Sequence, residues 1–142
     1  MVNLYAESSA ILSWLLREAP ASQLKEILEG ADLVVASDLT LIECGRTLTR
    51  GQAKGELSES EALERRTLLE AVSADWMFLK IGGEIGERAR HRMPIEPVGT
   101  LDALHLATAL TARSAISNLA LLSLDQRVRD NGAALGFDVL PV

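Results

Sequence analysis

VNLYAESSAILSWLL, residues 2–16, sets a short apolar run against a longer stretch with helical spacing, and that pairing decides the fold. Val2 to Ala6 reads as a strand, and from Ser8 the chain reads as a helix to about Leu16. The same alternation continues downstream. A second helix over Ala21 to Leu28 is expected to stop at Gly30, and Asp32 to Ala36, within ADLVVAS, is the next strand. Ser37 or Asp38 caps a helix that carries Leu41, Ile42, Cys44 and Leu48 on adjoining turns and ends near Gly51. Ser58 with Glu61 three residues later forms a capping box for a helix through about Val72. Asp75 to Lys80 reads as a third strand with Trp76 and Phe78 on one face, Gly82 to His91 as a helix and Pro94 to Gly99 as a loop. Leu101 to Arg113 is a strongly apolar helix, and the chain closes with a strand at Leu119 to Ser123, a helix from Gln126 to Leu135 and a short strand at Phe137 to Leu140. Five strands joined by helical crossovers predict a central parallel sheet covered on both faces, because parallel neighbours need long, right-handed connections. The expected architecture is an α/β three-layer α/β/α sandwich.

The chain has 142 residues, 48% hydrophobic and 24% charged, enough for one compact domain over residues 1–142. Four prolines, ten glycines and no low-complexity tract give no sign of a linker or internal repeat. Fourteen basic against 20 acidic residues, a balance of −6, argue against a general nucleic-acid coat or a polybasic membrane-surface module, though not against a local basic groove. The lone cysteine, Cys44, has no partner for an internal disulfide, and no Cys/His cluster offers a thiolate metal site, so a reducing compartment, the cytoplasm, is expected. Residues 1–10 lack Lys and Arg, and Glu7 interrupts their apolar stretch, so no signal peptide is expected. Nor does any window approach the roughly 18 apolar residues of a membrane span.

In an open parallel sheet, ligands bind beyond the carboxyl ends of the strands. Glu7 directly follows the first strand, Asp125 closely follows the fourth, Glu43 lies in the helix after the second, and Asp102 opens the apolar helix that feeds the fourth. Four carboxylates are thus expected at one edge, where they raise one another's pKa unless a cation sits among them. Oxygen-only ligands favour Mg²⁺ or Mn²⁺, ions that activate water and neutralise charge in phosphoryl chemistry. Each acid also has a plainer reading. Asp102 after a Thr100 cap suits the helix dipole, Asp125 suits a cap for the helix from Gln126, Glu7 suits a first-turn acid, and Glu43 suits a pair with Arg46 or Arg50. Position relative to the sheet is what favours the joint reading.

These segments resemble the motifs of the PIN-domain family. LYAESSAIL resembles the opening motif, in which an Asp ends the first strand; SDLTLIECGRTLTR resembles the second, with Glu43 as its acid; LDALHLATAL is similar to the third, with Asp102; and LLSLDQRVRDNGAALGFDVL resembles the fourth, with Asp125. The chain's size is similar to that of VapC-type toxins of toxin–antitoxin pairs. The resemblance implies a Mg²⁺- or Mn²⁺-dependent endoribonuclease that cuts RNA of the tRNA or rRNA class, is restrained by a VapB-type antitoxin and forms a homodimer. It also implies that Glu7, Glu43, Asp102 and Asp125 are the catalytic and metal-site acids, with Ser9 and Ser123 as hydrogen-bonding supports. This chain departs from the family at Glu7, where Asp is usual; the extra methylene moves the carboxylate by roughly 1.5 Å, one C–C bond, and activity is expected to survive.

Arg46 and Arg50, on roughly the face of Glu43, and Arg88, Arg90 and Arg92 beside His91 are candidates for contact with RNA phosphate or with the antitoxin. The plain reading of the second group is a solvated helix end. His105, three residues past Asp102, is read as a hydrogen-bonded core residue rather than a ligand, and Cys44 as a small core hydrophobe. Trp14 and Trp76 read as packing or dimer-interface residues; with aromatics at 4%, a base-stacking sheet is not expected. Two alternatives stand beside the nuclease: a PIN fold that has lost catalysis and serves as an interaction module, and a receiver-like regulatory domain. The latter needs an adjacent acidic pair after the first strand, where this chain has Glu7 alone.

Overall fold

In the computed structural model, which describes residues 2–142, five parallel strands form one sheet in the order β3-β2-β1-β4-β5. The strands are β1 (Asn3–Ala6), β2 (Leu33–Ser37), β3 (Met77–Leu79), β4 (Leu119–Leu122) and β5 (Val139–Leu140). Alternation along the central strands divides the apolar residues between the two faces. Leu4, Ala6, Val34, Ala120 and Leu122 pack on one side with α1 (Ser8–Leu15), α2 (Ala21–Gly30), α3 (Asp38–Ala53) and α4 (Glu59–Ser73). Tyr5, Val35, Leu119 and Leu121 pack on the other with α5 (Gly83–Ala89), α6 (Thr100–Arg113) and α7 (Gln126–Ala134). Leu4, Leu121 and Leu122 are wholly buried, and each such side chain contributes about 1.5–3 kcal/mol through removal from water.

The connectivity fixes where a ligand can sit. From β1 the chain steps outward to β2 and β3, then returns across the sheet to β4 and β5 on the far side of β1. The direction of winding therefore reverses between β1 and β4, and the crevice at such a switch point is the usual binding place in open α/β sheets.

The three-layer α/β/α expectation holds, and its departures lie at element ends. β3 and β5 are shorter than Asp75–Lys80 and Phe137–Leu140 because each pairs on one side only; Met77, on edge strand β3, is 46% exposed. Phe137 instead packs into the core, where the Arg113 guanidinium lies 4.3 Å from its ring centroid. Gly30 is the last residue of α2, where a stop is expected, with Ala31 at the cap. Thr100 is not a cap: Gly99 takes that place with no side-chain hydrogen bond, so Asp102 stands inside the first turn of α6. α5 ends at Ala89, which leaves His91 and Arg92 beyond it. The capping box forms as expected, with Glu61 N donating to Ser58 Oγ at 3.1 Å and Ser58 N donating to Glu61 Oε1 at 2.9 Å.

Candidate active site

Glu7 and Asp125 flank the switch point, one directly after β1 and the other three residues after β4. Both are helix N-caps, so the plain reading of each describes part of what it does. Glu7, a residue outside the usual Ser, Thr, Asp and Asn choice for a cap, accepts from Ser9 N at 3.1 Å on Oε2. The same oxygen accepts from Ser9 Oγ and from Ser123 Oγ, the latter at 2.8 Å. Asp125 Oδ1 accepts from Arg127 N at 3.0 Å and Val128 N at 3.2 Å. The two serines also join the two acids, since Asp125 N donates to Ser9 Oγ and to Ser123 Oγ, each at 3.1 Å. Glu7 is only 4% exposed. Burial pushes its carboxyl above the usual range against the opposing influence of His105 and the Ser9 and Ser123 hydrogen bonds.

Glu43 and Asp102 reach the same edge from opposite layers. Glu43 Oε1 accepts from Ser8 Oγ at 2.7 Å and from His105 Nε2 at 2.6 Å. Burial works to raise its carboxyl, but the His105 and Ser8 hydrogen bonds outweigh burial and hold it below the usual value. Asp102, half-buried, is raised first by burial and then by Asp125 and Glu43, with His105 and Arg127 opposing. The influence of Asp125 and Glu43 on Asp102 is the like-charge effect expected of acids gathered at one edge.

A pattern runs through the set. Glu7 Oε2, Glu43 Oε1 and Asp125 Oδ1 are each tied by two or more donors, while the second oxygen of each carboxylate takes no protein hydrogen bond. Such a set offers hard oxygen ligands already held in place, which suits Mg²⁺ or Mn²⁺. Among the described residues no three His, Cys, Asp or Glu side chains are gathered as a group that could hold a metal ion. Mg²⁺ commonly takes only one or two carboxylates and keeps several waters, so the donor chemistry fits an open site of that kind.

The arginines divide. Arg46 and Arg50 are exposed on α3, and neither pairs with Glu43; Arg50 donates to Thr47 Oγ1 at 3.3 Å. Arg88 pairs with Glu84 at 3.6 Å, and Arg90 and His91 pair with Glu87 at 3.1 and 3.0 Å, which makes that segment a self-paired helix end. Arg127 is a cation the sequence reading passed over, although it sits two residues past Asp125; its charge reaches Asp102, and its guanidinium donates to Pro97 O. Tyr5 and Ser8 were also passed over. Tyr5 lies on a strand and its apolar body hides the hydroxyl's role, whereas Ser8 follows Glu7 directly.

Trp14 and Trp76 line a cavity of about 600 Å³ together with Leu15, Leu28, Val34 and Leu68, at the amino ends of β2 and β3 and thus opposite the carboxylates.

The PIN domain family matches residues 4–133. Ribonuclease VapC46 of Mycobacterium tuberculosis (strain ATCC 25618 / H37Rv) is 31% identical over 140 residues, covering 99% of this chain and 98% of that protein. Among solved structures, Mycobacterium tuberculosis VapC20, described as a Sarcin-Ricin loop cleaving toxin, superposes with a TM-score of 0.66 at 16% identity, covering 94% of this chain and 95% of that one. A toxin–antitoxin complex from Klebsiella pneumoniae gives a TM-score of 0.60 at 20% identity, covering 98% and 96%.

Proposed function

The chain belongs to the PIN-domain family, and from that premise we propose that it is the ribonuclease toxin of a VapBC-type pair, dependent on Mg²⁺ or Mn²⁺. The observation that carries the reading is the placement of Glu7 and Asp125 on either side of the switch point, with Glu43 and Asp102 brought to the same edge. Glu7, Glu43, Asp102 and Asp125 would hold the metal, and Ser9 and Ser123 keep Glu7 and the start of α7 in register. When bound, the ion activates a water for attack on the phosphodiester and offsets the charge that builds there. The chain itself supplies orientation: each tied oxygen fixes a carboxylate that would otherwise spend rotamer freedom on reaching its place. No side chain is required as a covalent nucleophile.

The substrate is RNA of the tRNA or rRNA class, in keeping with the loop cleavage ascribed to VapC20. Arg46, Arg50 and Arg127 would meet its phosphates, and a VapB-type antitoxin is the restraining partner. One domain over residues 1–142 carries the activity in the cytoplasm; no helix among the described residues is long and apolar enough to cross a membrane. A homodimer is favoured by Ile42 on α3 and Leu63 on α4, 60% and 63% exposed, which leave apolar surface on neighbouring helices. Glu7 would take the part of the family's Asp, its carboxylate held at the start of α1 by Ser9 N.

The test is RNA cleavage by purified, antitoxin-free protein. Cleavage with Mg²⁺ or Mn²⁺, abolished by chelation and reduced at least a hundredfold in Asp102→Asn, is the expected result, on the scale of a lost transition-state charge partner. Unaltered cleavage by that variant would sink the site. Silence of the wild type alongside activity of Glu7→Asp would instead mark a chain that has lost catalysis.

A further inference from the structure

Tyr5, Ser8 and His105 are outside the acidic set, yet they are 0%, 2% and 1% exposed and linked to one another and to Glu43. Tyr5 stands on β1, Ser8 opens α1, Glu43 rides on α3 and His105 on α6, so the links join the two helical layers across the end of the sheet. Tyr5 Oη lies 2.8 Å from His105 Nδ1, and His105 Nε2 lies 2.6 Å from Glu43 Oε1. Hydrogen counting fixes the direction. Ser8 has one hydroxyl proton, which goes to Glu43 Oε1, so toward His105 Nε2 its oxygen accepts. Nε2 therefore carries a proton and donates to Glu43, while Tyr5 Oη and Nδ1 share the remaining hydrogen bond. Ser8 donates to the same Oε1, and its oxygen lies 3.1 Å from His105 Nε2.

A buried imidazole needs a partner at each ring nitrogen, and for His105 one of the two is a site carboxylate. We infer that Tyr5, Ser8 and His105 are positioning residues for Glu43: together they tie down Oε1 and leave Oε2 as its ligand atom. The inference rests on the proposed metal-centred reading. His105 also sits three residues past Asp102 on α6, one turn along the same face, so the ring that steadies Glu43 is carried by the helix that presents Asp102.

Mn²⁺ affinity, read from the free-ion electron paramagnetic resonance signal, tests it without reliance on turnover. Partners behind a metal ligand typically carry 10–100-fold in affinity, and that loss is expected for His105→Leu. His105→Gln offers an acceptor to Tyr5 and a donor to Glu43 in the same order, and should stay within about threefold of wild type. Tyr5→Phe removes one hydroxyl and should fall between the two. It also carries the test if His105→Leu fails to fold. In long-range ¹⁵N–¹H spectra of the metal-free protein, the wild-type His105 ring should carry a proton at Nε2. Folded His105→Leu or Tyr5→Phe that binds Mn²⁺ within about twofold of wild type, or a wild-type ring protonated at Nδ1 alone, overturns the inference. Wild-type protein that takes up no Mn²⁺ but shows the Nε2 proton overturns the metal-centred reading while upholding the hydrogen-bond relay.

Discussion

At the level of single residues, the site is held together by side chains that serve two purposes. Glu7 caps α1 and belongs to the acidic edge, and its burial has a measurable cost. Its native carboxyl binds a proton more tightly than the unfolded one, so its contribution to stability is greatest below the ordinary value of 4.5 and declines as pH rises through the native value. In urea titrations under chelator, Glu7→Gln should therefore gain on the wild type as pH goes from about 4 to 7. A difference that stays constant with pH would contradict this account of Glu7. Cys44 gives a second prediction. Burial, with Glu43 and Glu7 nearby, pushes its thiol up to about 12, so a thiol reagent should label it only after denaturant is added, because the thiolate is the reactive form. The four acids were readable because their spacing from apolar runs is local information. The relay was not, because Tyr5 and His105 are 100 residues apart and meet only once β1 lies beneath α6.

Among the elements, sequence punctuation foretold interiors better than ends. The Ser58 capping box is a local pattern and forms as read, and α2 ends at Gly30, while Gly99 rather than Thr100 caps α6. The edge strands β3 and β5 shortened because pairing on one side supports fewer residues. The seat of α7 depends on Gly132, where an added Cβ would meet the buried Leu121 side chain. Gly132→Ala is expected to cost about 1–3 kcal/mol through overpacking, read as a lower urea midpoint. Stability equal to wild type would show that Leu121 can yield freely.

Across the whole molecule, a balance of −6 sits oddly with an RNA substrate until the charges are placed. Removing the four site acids leaves 16 acidic against 14 basic residues, or −2, and each bound divalent ion offsets two more. RNA contact then rests on local cations. Arg46→Ala with Arg50→Ala should weaken RNA binding and flatten its logarithmic salt slope by about 1.4, the value for two contacts to a single strand. The same change at Arg88 and Arg90 should leave the slope untouched, because Glu84 and Glu87 already pair them. Sheet order was legible only as a parallel class; which strands flank the crevice followed from the return of the chain across the sheet. The claim on which all of this depends is that the four acids form a metal centre. It is tested most directly by the anomalous difference map of a Mn²⁺-soaked crystal. The account predicts a peak ligated by carboxylates from the set Glu7, Glu43, Asp102 and Asp125; a saturating soak with no peak there, or with the ion held elsewhere, would contradict it.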